Sequence, residues 1–140
     1  MADLQRLTEN AVIAWLAASG THSQTIGLTG VHAISDDAIT LPALVVSCLP
    51  QSERFHGTGI YDVQCTITYH WQADDTTDAA ASTVWGKIKY VMLWDELRTR
   101  LSDLADFTCW GALWDGTETH DIENRHHRQS ITLTLIAQPS

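Results

Sequence analysis

The strongest periodicity in the chain lies at residues 61–72. Tyr61, Val63, Cys65, Ile67, Tyr69 and Trp71 alternate with Asp62, Gln64, Thr66, Thr68, His70 and Gln72. A period of two over that length predicts a long strand with one buried and one polar face. One-sided strands of this kind belong to antiparallel sheets. Gly57 and Gly59 just before it mark a turn, so a hairpin with residues 44–48 is expected. Those residues belong to an apolar, β-branched run, 39–49, that is bounded by Pro50. Pro42 removes a backbone donor inside the run, so the strand starts after it or lies at a sheet edge.

Two other segments carry the helical period. Leu4, Leu7, Ala11, Val12, Trp15 and Leu16 recur at spacings of three and four between Asp3, a capping residue, and Gly20, a common stop. They predict an amphipathic helix over 4–18. Residues 21–30 are small and polar and read as loop; 31–34 form a short strand turned by Asp36-Asp37. After residue 72 the period changes. Asp74, Asp75 and Asp78, with Thr76 and Thr77, make a capping, dipole-favoured helix start. Ala81, Val84, Trp85, Ile88 and Met92 then trace one face, with an interior Gly86 that costs about 1 kcal/mol relative to alanine. Asp95 opens a short second helix with Trp94, Leu97 and Leu101 facing inward. Residues 107–114 read as a strand ended by Asp115-Gly116, and Ile131, Leu133 and Leu135 alternate with Thr132 and Thr134 in a last strand before Pro139.

The order is helix, two or three strands, helix, hairpin. It predicts an α+β fold: an antiparallel β-sheet with an N-terminal helix and a central helix packed on one face. No segment repeats and no linker divides the chain, so residues 1–140 form one domain.

Composition narrows the function. Seventeen acidic against eight basic residues give a formal charge of −9, which repels phosphate and disfavours nucleic-acid reading. No apolar run approaches the roughly 18–20 residues that cross a bilayer. The segment MADLQRLTEN has no basic region followed by an apolar stretch, so no secretory signal is expected. Three cysteines without a CxxC pair argue against a disulfide scaffold or a thiolate zinc site, and reduced thiols are expected. Charged residues make up only 18 %, yet there are six tryptophans. Two readings stay open: an aromatic-rich core, or an interface, since interface cores are poor in charge and rich in aromatics.

Candidate chemistry is sparse. His120, His126 and His127 lie near Asp121 and Glu123, but zinc needs three or four convergent ligands. Adjacent histidines on a strand point to opposite faces, so a solvated loop is favoured over a metal site. Asp74, Asp75 and Asp78 lack the glycine and distal glutamate of a calcium loop, and capping accounts for them. Cys48, Cys65 and Cys109 each fall in a predicted strand, where a buried thiol behaves as a small hydrophobe. There is no GxSxG elbow, and His56-Gly57-Thr58-Gly59 lacks the GK[ST] ending of a phosphate loop. No catalytic residue, metal or cofactor is expected. In the strand at 107–114, Trp110, Ala112 and Trp114 share one face and Phe107, Cys109, Gly111 and Leu113 the other. Both are apolar, so the strand is either covered twice within one chain or meets a neighbouring subunit.

The N-terminal amphipathic helix, the run LPALVVSC, the strand YDVQCTITYHW leading into DDTTDAAASTVWGKI, and the closing RHHRQSITLTLIAQP resemble the small phage proteins of the head–tail joining (neck) region, and most of all the tail terminator family. The resemblance spans nearly the whole chain as a pattern of elements and lengths. It implies a structural virion protein made in the host cytoplasm and placed at the head–tail junction. Family members form rings, characteristically hexameric, that cap the tail tube and adjoin a neck or head-completion protein. DNA passes through such a ring without specific binding, and no catalytic residues carry over. The alternative is a small-molecule-binding or enzymatic α+β domain with a pocket lined by Trp and Tyr.

One segment stands out as a candidate interface. Residues 115–127 are polar and read as a loop of about a dozen residues, longer than the two to five that a hairpin needs. The acidic Asp115, Glu118, Asp121 and Glu123 give way to Arg125 and Arg128. A change of sign along one projecting loop suits a head-to-tail contact, which needs two different complementary surfaces.

Overall fold

The structure, a computed structural model, describes residues 4–18, 31–33, 41–74, 76–89 and 107–139. Helix α1 (Leu4–Ala18) is followed by strands β1 (Val31–Ala33), β2 (Ala43–Phe55) and β3 (Ile60–Gln72), helix α2 (Asp78–Lys89), and strands β4 (Phe107–Glu123) and β5 (His126–Pro139). The expectations for Asp3, the Trp15 side chain, Gly20, residues 21–30, Asp36-Asp37, Asp75, Met92 and the short helix opening at Asp95 lie outside the described residues. The fold is the expected α+β arrangement. Strands β2, β3, β5 and β4 pair antiparallel, and β1 adds a short parallel strand, for a sheet order β1-β2-β3-β5-β4.

Strand β3 is the middle strand of this order, paired along nearly its full length with β2 on one side and β5 on the other. Its odd-numbered residues from Val63 to Trp71 are at most 2 % exposed. The same face carries Val46 and Cys48 of β2 and Ile131, Leu133, Leu135 and Ala137 of β5. Both helices cover it: α1 buries Leu4, Ala11, Val12 and Leu16, and α2 buries Ala81, Val84, Trp85 and Ile88. Trp85 stacks on Tyr69 with ring centroids 6.4 Å apart. Each valine, leucine or isoleucine so withdrawn from water contributes roughly 1.5–3 kcal/mol. The opposite face carries hydroxyl rungs, Thr66–Thr132 at 3.2 Å and Thr68–Ser130 at 3.0 Å.

Three expectations are corrected. Pro50 does not end β2, which continues to Phe55. The Cys48 amide points away from β3, donating to Glu9 of α1 at 3.0 Å. Pro50, two residues on, has the same orientation, so its missing N–H removes no bond of the β2–β3 ladder. At α2 the cap is Thr77, whose Oγ1 accepts from the Ala80 amide at 3.2 Å. Of the carboxylates expected to cap, Asp78 sits in the first turn, while Asp74 pairs with Arg125 at 2.9 Å instead.

The third correction is the largest. Residues 115–127 are not a projecting loop: β4 runs through to Glu123, and β5 begins at His126. The turn consists of Asn124 and Arg125, with φ of 51° and 67°. Two consecutive left-handed residues are the geometry whose twist matches paired strands. Asp115-Gly116 is a bulge rather than the hairpin end. The register steps from Trp114 opposite Leu133 to Glu118 opposite Ile131, with Gly116 at φ 92°. Asp115 steadies the bulge by accepting from the amide and hydroxyl of Thr117.

Candidate functional site

The β4–β5 hairpin carries the residues expected at an interface. Because β4 is the last strand in the sheet order, its outer edge has no strand partner among the described residues. Bulges shape it. The first, between Cys109 and Gly111, places Cys109 opposite Ala137 on the helix-covered face, together with Ala112 opposite Leu135. Gly111 and Leu113 oppose Ile136 and Thr134 on the other face. The expected grouping of Cys109 with Gly111 and Leu113 is thus broken by one extra residue, Trp110. Nor do the described residues cover the strand on both sides, since Trp110 and Leu113 are 54 % and 51 % exposed. Of the five large hydrophobic side chains that are exposed among the described residues, four are on β4: Trp110, Leu113, Trp114 and Ile122. Residues 107–114 contain no charge at all.

The charged half of the hairpin behaves differently. Asp121 lies directly opposite Arg128, and the Arg128 guanidinium also approaches Glu123 at 3.5 Å. Glu118 turns toward α2, accepting from the Trp85 indole at 2.8 Å and pairing with Lys89 at 3.2 Å. The indole hydrogen bond first, and Lys89 after it, hold the Glu118 carboxyl below its usual range. Asp115 is likewise lowered by its hydrogen bonds from Thr117. Arg125 binds Asp74. Asp115, Glu118, Asp121, Glu123, Arg125 and Arg128 therefore do not form one two-signed loop. The hairpin folds their charges onto each other and onto α2 and the segment before it.

The histidines arrange in two cross-strand pairs at the turn end. Nδ1 of His70 lies 2.9 Å from Nε2 of His126. Nε2 of His120 lies 2.9 Å from Nδ1 of His127, whose ring stacks on Trp71 at 3.7 Å. His126 and His127 do point to opposite faces, as their adjacency on a strand requires. Burial, then the neighbouring His126 and Arg128, push His70 down to about 4. Among the described residues, no three His, Cys, Asp or Glu side chains converge to hold a metal ion.

Sequence reasoning missed four contacts that tertiary packing creates. These are the two histidine pairs, the Glu9 carboxylate on the Cys48 amide, and the approach of Cys48 to Cys65. The histidine pairs had a visible signal, the alternation of Asp121 and Glu123 with His120 and Ile122. The other two depend on how α1 and β3 lie against β2. No protein-family model matches the sequence, and no curated protein matches it.

Proposed function

We propose that the protein is a structural subunit of a tailed-phage head–tail junction, a tail terminator whose copies associate through β4 into a ring on the tail tube. The observation that supports this reading is the uncharged, apolar stretch at 107–114 on an edge strand. Long exposed edges invite pairing with another chain, and monomers guard them with charge. Here the acidic guard begins only at Asp115. Indole and leucyl side chains more than half exposed are the anchors expected at the centre of a protein contact. The formal charge of −9 agrees with a ring through which DNA slides without adhering, and the neck protein and tube are the partners this position implies.

The alternative, a ligand-binding or enzymatic domain, has less support. The apolar recess beside β4, lined by Arg54, Ile60, Trp110 and Ile136, has about 270 Å³, and the larger recesses of about 420 and 600 Å³ are lined mainly by polar side chains rather than by the apolar walls typical of small-molecule sites. Light scattering on purified protein, alone and with isolated tail tubes, separates the two. Discrete rings that dissociate in Leu113→Asp, with the circular dichroism spectrum kept, support the proposal. A monomer at all concentrations that also fails to bind tubes overturns it.

A further inference from the structure

We propose that Cys48 and Cys65 form an oxidisable dithiol that closes into an intrachain disulfide across the β2–β3 hairpin. The inference does not depend on the ring reading. The two residues are direct partners in the ladder, and both are fully buried as free thiols. Their sulfurs lie 3.0 Å apart.

The backbone geometry suits the bond. The Cys48 amide is turned outward to Glu9, so Cys48 and Cys65 occupy a non-hydrogen-bonded position of the antiparallel ladder. Opposed Cα atoms at such a position are about 4.5 Å apart, inside the roughly 4.4–6.8 Å that a disulfide spans. The sulfurs need to close by only about 1 Å to reach the bonded distance of about 2.05 Å. No strand has to slip, because the pair is already in register.

The surroundings keep the pair reduced until it is reached. The hydrogen bond to Cys65, then burial, and the negative charge of Glu9 all raise the Cys48 thiol above its ordinary value, so little thiolate exists in the closed core. Access lies through α1, whose Glu9 carboxylate holds the Cys48 amide and whose buried Val12 and Leu16 belong to the same core cluster as the two cysteines. Local undocking of α1 would wet the pair without unpairing β2 from β3. With a peroxide as the oxidant, one thiolate attacks the O–O bond, yielding a sulfenic acid and, after protonation, water. The second thiol then attacks the sulfenic sulfur, the S–O bond breaks, and a second water leaves. Two thiols lose two protons and two electrons, and the peroxide is reduced to two waters. Cys109, buried on β4 near Gly111, is an internal reference that has no part in the pair.

The test treats the purified full-length protein with excess hydrogen peroxide under native conditions, quenches with an alkylating agent and maps the peptides by mass spectrometry. The expected product has lost about 2 Da, carries one alkyl group at Cys109 and links the Cys48 and Cys65 peptides. Dithiothreitol should restore three alkylatable thiols, and the oxidised form should melt at higher temperature, since a cross-link restricts the unfolded chain. Cys109→Ala should leave the link intact. Glu9→Gln, which loosens α1 over the pair, should speed its formation severalfold. Alkylation of all three cysteines after peroxide, a link through Cys109, or stable sulfinic acid in place of a link would each overturn the proposal.

Discussion

At the residue scale, position in the alternation decides cost. Ile67 is fully buried and Thr66 faces the hydroxyl-lined side. Ile67→Ala is expected to cost about 2–5 kcal/mol by urea unfolding, and Thr66→Ala under about 1 kcal/mol, the worth of one hydrogen bond. Equal losses would contradict the register. His70 supplies a pH dependence with a definite sign. Its folded value of about 4 lies below the ordinary 6.5, so between these limits the unfolded chain binds more protons than the native one. Stability should therefore fall as pH drops from about 6.5 toward 4. Melting curves at pH 7 and pH 4.5 should show a smaller acid loss for His70→Gln than for the wild type. Identical losses would mean that His70 is not the group responsible.

At the element scale, β3 and the β4–β5 hairpin show what a pattern conveys and what it does not. Strand β3 was legible because twelve residues alternate without a break, and helix α2 because Ala81, Val84, Trp85 and Ile88 lie on one face. The hairpin is not legible in the sequence because its turn chemistry is atypical. Asp115-Gly116 has the composition of a tight turn but forms a bulge, whereas the turn itself places arginine at φ 67°. A left-handed non-glycine residue costs roughly 1–2 kcal/mol. Arg125→Gly removes that cost and loses only an exposed ion pair with Asp74, worth about 0–1 kcal/mol. It is expected to raise the urea midpoint, with a net gain of up to about 1 kcal/mol; a lower midpoint would refute the turn assignment. The same geometry changes the meaning of a deletion. Removing residues 117–123 would take away the pairing of Glu118 to Glu123 with β5, so such a variant would lose stability as well as any contact function.

At the scale of the whole molecule, charge and apolar surface are segregated along one strand. Glu118, Glu123, Arg125 and Arg128 are each engaged by an opposite charge of this chain, while Trp110 and Leu113 remain half exposed beside them. Association through β4 should therefore tolerate salt, because apolar burial is not screened. Leu113→Asp is expected to abolish ring mass in light scattering, and Asp121→Asn to leave it within error at both low salt and about one molar, where the Debye length is about 3 Å. Assembly that melts away with salt, or that Asp121→Asn removes, would instead return the interface to the charged residues.

What the sequence determined by itself are the features that depend on neighbours within a few residues: the helical period of 4–18, the strand at 61–72, the apolar inward set of β5, and the α+β class that their order implies. Each follows from the geometry of a single element, because side-chain direction repeats every 3.6 or 2 residues. What only the tertiary structure decided depends on which strands lie side by side. The order β1-β2-β3-β5-β4 makes β4 an edge. The β2–β3 register, rather than any local spacing, sets Cys48 against Cys65, seventeen positions apart. The bulges that turn Cys109 inward and leave Leu113 in water arise because β4 must match the paired face of β5, a constraint that no window of its own residues contains.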